Sequence, residues 1–230
     1  MAAPLPVLCF PFAGAGASAF RRYQEYPSDA IRICPVQLPG REERYGEPLC
    51  TDVAQAVDGL LEPMLDLIGD SRRVALFGHS LGAVLAYEAA HRFHEIDGPD
   101  VVRLFVSGSP GPWTRRANRA TGLSDEEFVD RVRELAGYAH PALEHPDLRE
   151  MLLPTLRADV DMHENYLAPR KRLAVPITSI RGDQDELVSA EEAAQWADAT
   201  TAEFHRVEVP GGHMYLVDSP ASLVRVLEQH

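Results

Sequence analysis

Six short apolar runs, residues 5–10, 30–37, 73–77, 101–107, 173–181 and 203–209, recur along the chain with apolar residues at helical spacing between them. Runs of four to nine residues rich in Val, Ile, Leu and Phe read as strands. Their alternation with helices predicts an α/β fold, a largely parallel sheet covered on both faces. In such a sheet the strands' carboxyl ends share one edge, so residues leaving different strands there converge however far apart they lie in sequence. From Thr51 onward, Val53, Val57, Leu60, Leu61, Met64 and Ile68 form one helical stripe, with a kink expected at Pro63. Ser189 with Glu192 reads as a capping box, and Ser219 before Pro220 as the start of the terminal helix. With 230 residues and no repeat, linker or low-complexity tract, the chain reads as one domain.

The chemistry concentrates at the ends of three of these runs. Gly78-His79-Ser80-Leu81-Gly82 follows Val74-Ala75-Leu76-Phe77 and opens the Ala-rich stretch 83–90. A G-x-S-x-G between a strand and a helix is a nucleophile elbow, whose sharp turn lifts the serine hydroxyl clear of the sheet. Serine is a weak nucleophile at neutral pH and needs a base, and the base needs an orienting acid. Both follow in the order used by α/β-hydrolases: Asp183 and Asp185 lie in the turn after the fifth run, and His213 in Pro210-Gly211-Gly212-His213 after the sixth. An oxyanion hole takes one donor from the residue after the nucleophile, Leu81. The second comes from the loop after the first strand, Pro11-Phe12-Ala13-Gly14-Ala15-Gly16, where Ala13 is assigned.

Taken together, Phe10-Pro11-Phe12-Ala13-Gly14, Gln37-Leu38-Pro39-Gly40-Arg41-Glu42, the elbow and Pro-Gly-Gly-His resemble the type II thioesterases that accompany polyketide synthases and nonribosomal peptide synthetases. The resemblance spans nearly the whole chain, and the Leu-Pro-Gly-Arg segment is its least generic part. It implies an α/β-hydrolase fold and an enzyme that frees acyl groups from the phosphopantetheine arm of acyl or peptidyl carrier proteins, without a cofactor. By position, the nucleophile falls on Ser80, the acid on Asp185 and the general base on His213. The strand-end register also favours Asp185 over Asp183. Phe12 stands where this family often has a polar aromatic or a histidine, and Ala15 interrupts the glycine run.

From about Trp113 to Ala168 the alternation breaks and the segment reads as helical, with Ser124-Asp125-Glu126-Glu127 as a capping box and a second helix carrying Leu148, Met151, Leu152, Leu156 and Val160, interrupted at Pro154. Between two strands of such a fold this is a lid, and Met151, Leu152, Leu156 and Met162 are the expected lining of an acyl channel. Arg115, Arg116 and Arg119 form the densest basic cluster and are the expected docking patch for an acidic carrier protein.

A net charge of −13 argues against nucleic acid and anionic membranes as partners. No run approaches the ~20 apolar residues of a membrane helix, and no basic stretch precedes the first apolar run as in a signal peptide. The expected setting is therefore the cytoplasm. Cys9, Cys34 and Cys50 lack metal-type spacing and read as buried thiols; His91 and His94, three apart, lack a third ligand and read as surface histidines, so no metal is expected. His79 reads as packing beside the serine. A start at Met1 without a linker favours a stand-alone editing enzyme over a fused product-releasing domain, and nothing resembles a repeated interface, so a monomer is expected. An acyl-coenzyme A thioesterase or a small-ester carboxylesterase would use the same triad. A noncatalytic binding module would be expected to have lost one of its members.

Overall fold

In the computed structural model, which describes residues 3–114, 119–136 and 145–229, all six runs form strands. They are β1 (Leu5–Phe10), β2 (Ile31–Pro35), β3 (Arg73–His79), β4 (Asp100–Ser107), β5 (Ile177–Gly182) and β6 (Phe204–Val209). Every pairing is parallel, in the order β2-β1-β3-β4-β5-β6. β5 is shorter than its apolar run because Pro176 cannot donate to a ladder; upstream of it Leu173 makes only an isolated bridge to Thr200.

Pleating sends alternate residues of β1 to opposite faces. Leu8 and Phe10 join one core with Leu76, Leu104 and Trp196, while Val7 and Cys9 join the other with Phe77, Phe105 and Leu223. Helix α3 (Leu81–Glu95) is buried at nearly every position of its first half, which is why an Ala-rich sequence suits it. The order of strands reverses between β1 and β3. Such a switch point opens a crevice at the carboxyl edge, and the loop after β1 and the turn after β3 face one another there.

Two helical details differ from the sequence expectation, both because of proline's missing N–H. The stripe from Thr51 forms separate helices, α1 (Val53–Asp58) and α2 (Leu61–Ile68), so Pro63 lies in a first turn, where no donor is needed, instead of kinking a long helix. Pro154, by contrast, does not interrupt its helix. α5 runs unbroken over Pro146–Asn165, with Pro154 and Glu150, whose carbonyl loses its partner, both on the solvent side.

α4 (Asp125–Ala136) and α5 lie in the insertion between β4 and β5. The Ser124 and Glu127 pair caps α4 reciprocally as expected. Ala120, Phe128, Val129, Leu153 and Leu156 make a small core of their own, and Ala13 of the β1 loop packs against it, so the insertion sits over the carboxyl edge. The chain ends with α6 (Ala190–Ala194), whose Ser189 and Glu192 form the expected capping box, α7 (Tyr215–Asp218) and α8 (Pro220–Gln229). Among the described residues, no helix is long and apolar enough to cross a membrane.

Candidate active site

Ser80 links β3 to α3 with φ 54° and ψ −115°, a conformation that L-residues avoid unless the surroundings impose it. The imposition is visible. Ser80 N–H donates to Ser107 O at the end of β4 (2.8 Å), Ala83 N–H donates to Ser80 O (3.0 Å), and the flanking glycines permit contacts that no side chain could share. A Cβ on Gly78 would lie 1.8 Å from Gly82 O, and one on Gly82 would lie 2.3 Å from Phe10 O. Gly82 therefore lets the start of α3 press against the end of β1. Ser80 itself stays half-buried while its neighbour His79 is fully buried.

His213 enters from the loop after β6, which crosses the end of β5 where only glycine fits: a Cβ on Gly182 would meet both Gly211 O and Gly212 O at 2.4 Å. Its Nδ1 is 2.9 Å from Asp185 Oδ2. The other oxygen of Asp185 accepts the N–H groups of Leu187 (2.8 Å) and Val188 (3.1 Å). Burial tends to raise this carboxyl, but the hydrogen bond and charge of His213, with the two backbone donors, outweigh it and hold the group below the usual carboxylate range. Asp183 has a different task. Its Oδ1 accepts Gly211 N–H (2.9 Å) and braces the loop that carries His213.

The His213 ring lies 4.7 Å, centroid to centroid, from that of His79, the residue before Ser80, and a Cβ on Gly108 would lie 2.4 Å from His79 Cε1 and 3.0 Å from His213 Cε1. His79 Nδ1 is 2.9 Å from Ser107 Oγ, which is 2.7 Å from the Tyr215 hydroxyl, and Phe12 meets the His79 ring edge-on. His79 thus packs beside the serine as expected. Ser107 and Tyr215 carry no motif, and only the fold joins them to the site.

The loop after β1 closes in a turn, Ala15 N–H to Phe12 O at 3.0 Å, with Gly14 at φ 77° in the third position. Gly14 N–H donates to Asp159 Oδ2 of α5 (2.7 Å). Neither bond takes the N–H of Ala13. Asp159, fully buried, also pairs with Arg41 through both oxygens, at 2.6 and 2.7 Å. Burial pushes the Asp159 carboxyl up, against the opposing pull of Arg41 and Gly14 N–H. The sequence reading missed this pair. The Leu-Pro-Gly-Arg motif pointed to Arg41, but nothing marked its partner 118 residues away.

Of the four residues expected to line an acyl channel, Leu156 faces the site, its Cδ1 lying 3.1 Å from where a Cβ on Gly14 would sit. Leu152 is partly buried in the insertion's small core, Met162 is buried in the main core, and Met151 is 53% exposed. A cavity of about 590 Å³ opens nearby between α3, the loop after β4 and the end of α5; Val84, Pro110, Trp113, Tyr166 and Ala168 are among its walls. Arg119 also borders this cavity, hydrogen-bonded to Asn165 and 3.5 Å from Glu164; Arg115 and Arg116 lie outside the described residues. His94 is exposed, but His91 is a buried residue packed edge-on against Tyr87, not a surface histidine, because α3 turns that face to the core. Among the described residues no group of His, Cys, Asp and Glu is arranged to hold a metal.

A parallel sheet with a strained serine at its switch point and a carboxylate-backed histidine on the same edge defines an α/β-hydrolase. Residues 5–230 match the Thioesterase domain family, and the chain belongs to it as a thioester hydrolase. It is 36% identical over 211 residues to a probable cadicidin biosynthesis thioesterase of Streptomyces griseus, covering 91% of this chain and 58% of that protein. Among solved structures, RedJ, a thioesterase from the prodiginine biosynthetic pathway in Streptomyces coelicolor, superposes with a TM-score of 0.87 at 35% identity, over 99% of this chain and 90% of that one. BorB, the type II thioesterase of the borrelidin biosynthetic cluster, gives 0.86 at 31% identity, over 99% and 92%.

Proposed function

We propose that the chain is an editing thioesterase that hydrolyses acyl groups from the phosphopantetheine arm of acyl or peptidyl carrier proteins, with Ser80, His213 and Asp185 as its triad. The observation that carries the reading is the 2.9 Å contact between Asp185 and His213 Nδ1, with the His213 ring 4.7 Å from that of His79, the neighbour of the strained serine. Its setting in biosynthesis is supported by the relatives, which are thioesterases of cadicidin, prodiginine and borrelidin pathways.

Asp185 accepts Nδ1–H and so fixes the tautomer in which Nε2 carries the lone pair. His213 takes the Ser80 proton as Oγ adds to the thioester carbonyl, and the N–H groups of Leu81 and Ala13 receive the oxyanion at the positive end of α3. Collapse expels the pantetheine thiolate, to which His213 returns the proton. Water, deprotonated by the same imidazole, then attacks the acyl-serine; Ser80 is reprotonated and the free acid leaves. The insertion, residues 113–168, serves as the lid, and Leu156 meets the acyl chain next to the oxyanion loop. Carrier docking falls to Arg115, Arg116 and Arg119.

The test compares purified wild-type protein and Ser80→Ala on an acyl-carrier protein, the matching acyl-coenzyme A and a p-nitrophenyl ester. Wild-type protein should show the highest kcat/KM on the carrier, and Ser80→Ala should lose activity on all three. A preference for coenzyme A or the oxygen ester would reassign the substrate, and full activity without the hydroxyl would end the serine mechanism.

A further inference from the structure

The Gln37–Glu42 segment holds the oxyanion loop along its length. Gln37 Oε1 accepts Ala17 N–H (3.0 Å), Glu42 accepts Ser18 N–H (3.1 Å) and its hydroxyl, and Arg41 Nη1 donates to Ala15 O (3.0 Å). Arg41 is itself fixed by its bidentate pair with Asp159, and Asp159 reaches the same loop directly at Gly14 N–H. One carboxylate on α5 therefore secures, on either side of one peptide unit, a donor and, through Arg41, an acceptor of the turn that carries Ala13.

Stability alone is a poor account of this arrangement. Taking both charges out of water costs several kcal/mol per ion, and a well-packed apolar pair is often as stable or more so. What an apolar pair cannot supply is a directional partner for the Gly14 N–H and the Ala15 carbonyl. Those bonds set the turn's orientation, and a displacement of about 1 Å in a reacting geometry can cost about a hundredfold in rate.

Resting on the assignment of Ser80 and of Ala13 in the preceding subsection, we propose that Arg41 and Asp159 are positioning residues for the oxyanion hole, a clamp by which helix α5 of the insertion aims the Ala13 N–H at the developing oxyanion. The seated insertion is then part of the catalytic scaffold as well as a cover. Both carboxylate oxygens of Asp159 are needed as acceptors, since the group must serve Arg41 and Gly14 together.

The clamp is tested with Asp159→Asn and Arg41→Lys, the latter keeping a cation without the planar fork that spans both partners. Each is assayed on an acyl-N-acetylcysteamine thioester below its melting temperature, and titrated with an acyl trifluoromethyl ketone, whose hemiketal oxyanion occupies the hole. We expect kcat to fall about ten- to a hundredfold, less than the roughly 10²- to 10³-fold seen on loss of a whole oxyanion donor, because the donor is misaimed and not removed. KM should stay within about twofold, and the ketone's inhibition constant should rise by the same factor as kcat falls. A merely structural pair would lower the melting temperature and leave kcat and ketone affinity of the folded protein unchanged, which would overturn the proposal. If Asp159→Asn does not fold, Arg41→Lys decides the question alone. Ser80→Ala separates the two readings: if it is inactive while the clamp variants keep wild-type kcat, only the clamp fails, whereas its retained activity removes the serine mechanism first.

Discussion

Replacing Asp185 by Asn tests the histidine's orientation with one atom changed. In the native site Oδ1 is held by Leu187 N–H and Val188 N–H, while Oδ2 faces His213 Nδ1. The two backbone donors dictate how the new amide sits: its oxygen must remain with them, so its NH2 turns toward Nδ1. A donor now faces a donor, and the imidazole relieves the conflict by moving its proton to Nε2. Nε2 then has no lone pair with which to receive the Ser80 proton. Loss of the correct tautomer in a serine triad costs roughly 10⁴-fold in kcat, about 5 kcal/mol of transition-state stabilisation. Asp183→Asn is the matched control, because the amide oxygen can still accept Gly211 N–H, and kcat should change by no more than about threefold. Single-turnover hydrolysis of an acyl-thioester by both variants, with the melting temperature as a check on folding, gives the comparison. Comparable losses in the two, or a variant at position 185 that keeps more than a tenth of the rate, would refute the assigned orientation.

Two further outcomes follow from packing and from burial. Gly82→Ala would place a methyl 2.3 Å from Phe10 O and should cost about 3 kcal/mol in urea unfolding, whereas Gly46→Ala, with no atom within 4 Å of the added carbon, should be nearly neutral; equal effects would contradict the close approach of α3 to β1. Burial foremost, then the nearby charge of Lys171, holds the His91 imidazole at about 4 instead of 6.5. Between those values the unfolded chain binds a proton that the folded one does not, so stability falls as pH drops from 6.5 toward 4. For a shift of this size the loss is at most roughly 3 kcal/mol. His91→Phe should flatten the dependence of urea midpoints on pH across that window, and an unchanged slope would exclude His91 as its source.

The sequence alone determined the strands, their parallel arrangement and the three points at which the chain delivers serine, acid and histidine to one edge. These are local or topological matters: an apolar run of strand length between helices has few other fates, and the elbow's glycines mark a turn that no other residues can make. The helical insertion was legible for the same reason, as a break in alternation. What the sequence could not decide was anything settled by contact across distance. Asp183 and Asp185 share a turn; strand-end register and family position favoured Asp185 as the acid, but the contact of Asp183 with Gly211 emerges only from the folded β5 and β6 loops. Pro63 and Pro154 look alike in a helical pattern, yet their effect depends on which carbonyl is left unpartnered and whether water reaches it. Arg41 finds Asp159, and Ser107 finds Tyr215, because a parallel sheet gathers loops that sequence separation keeps apart. Burial then gives those few polar contacts an orientation that no pattern of residues could specify.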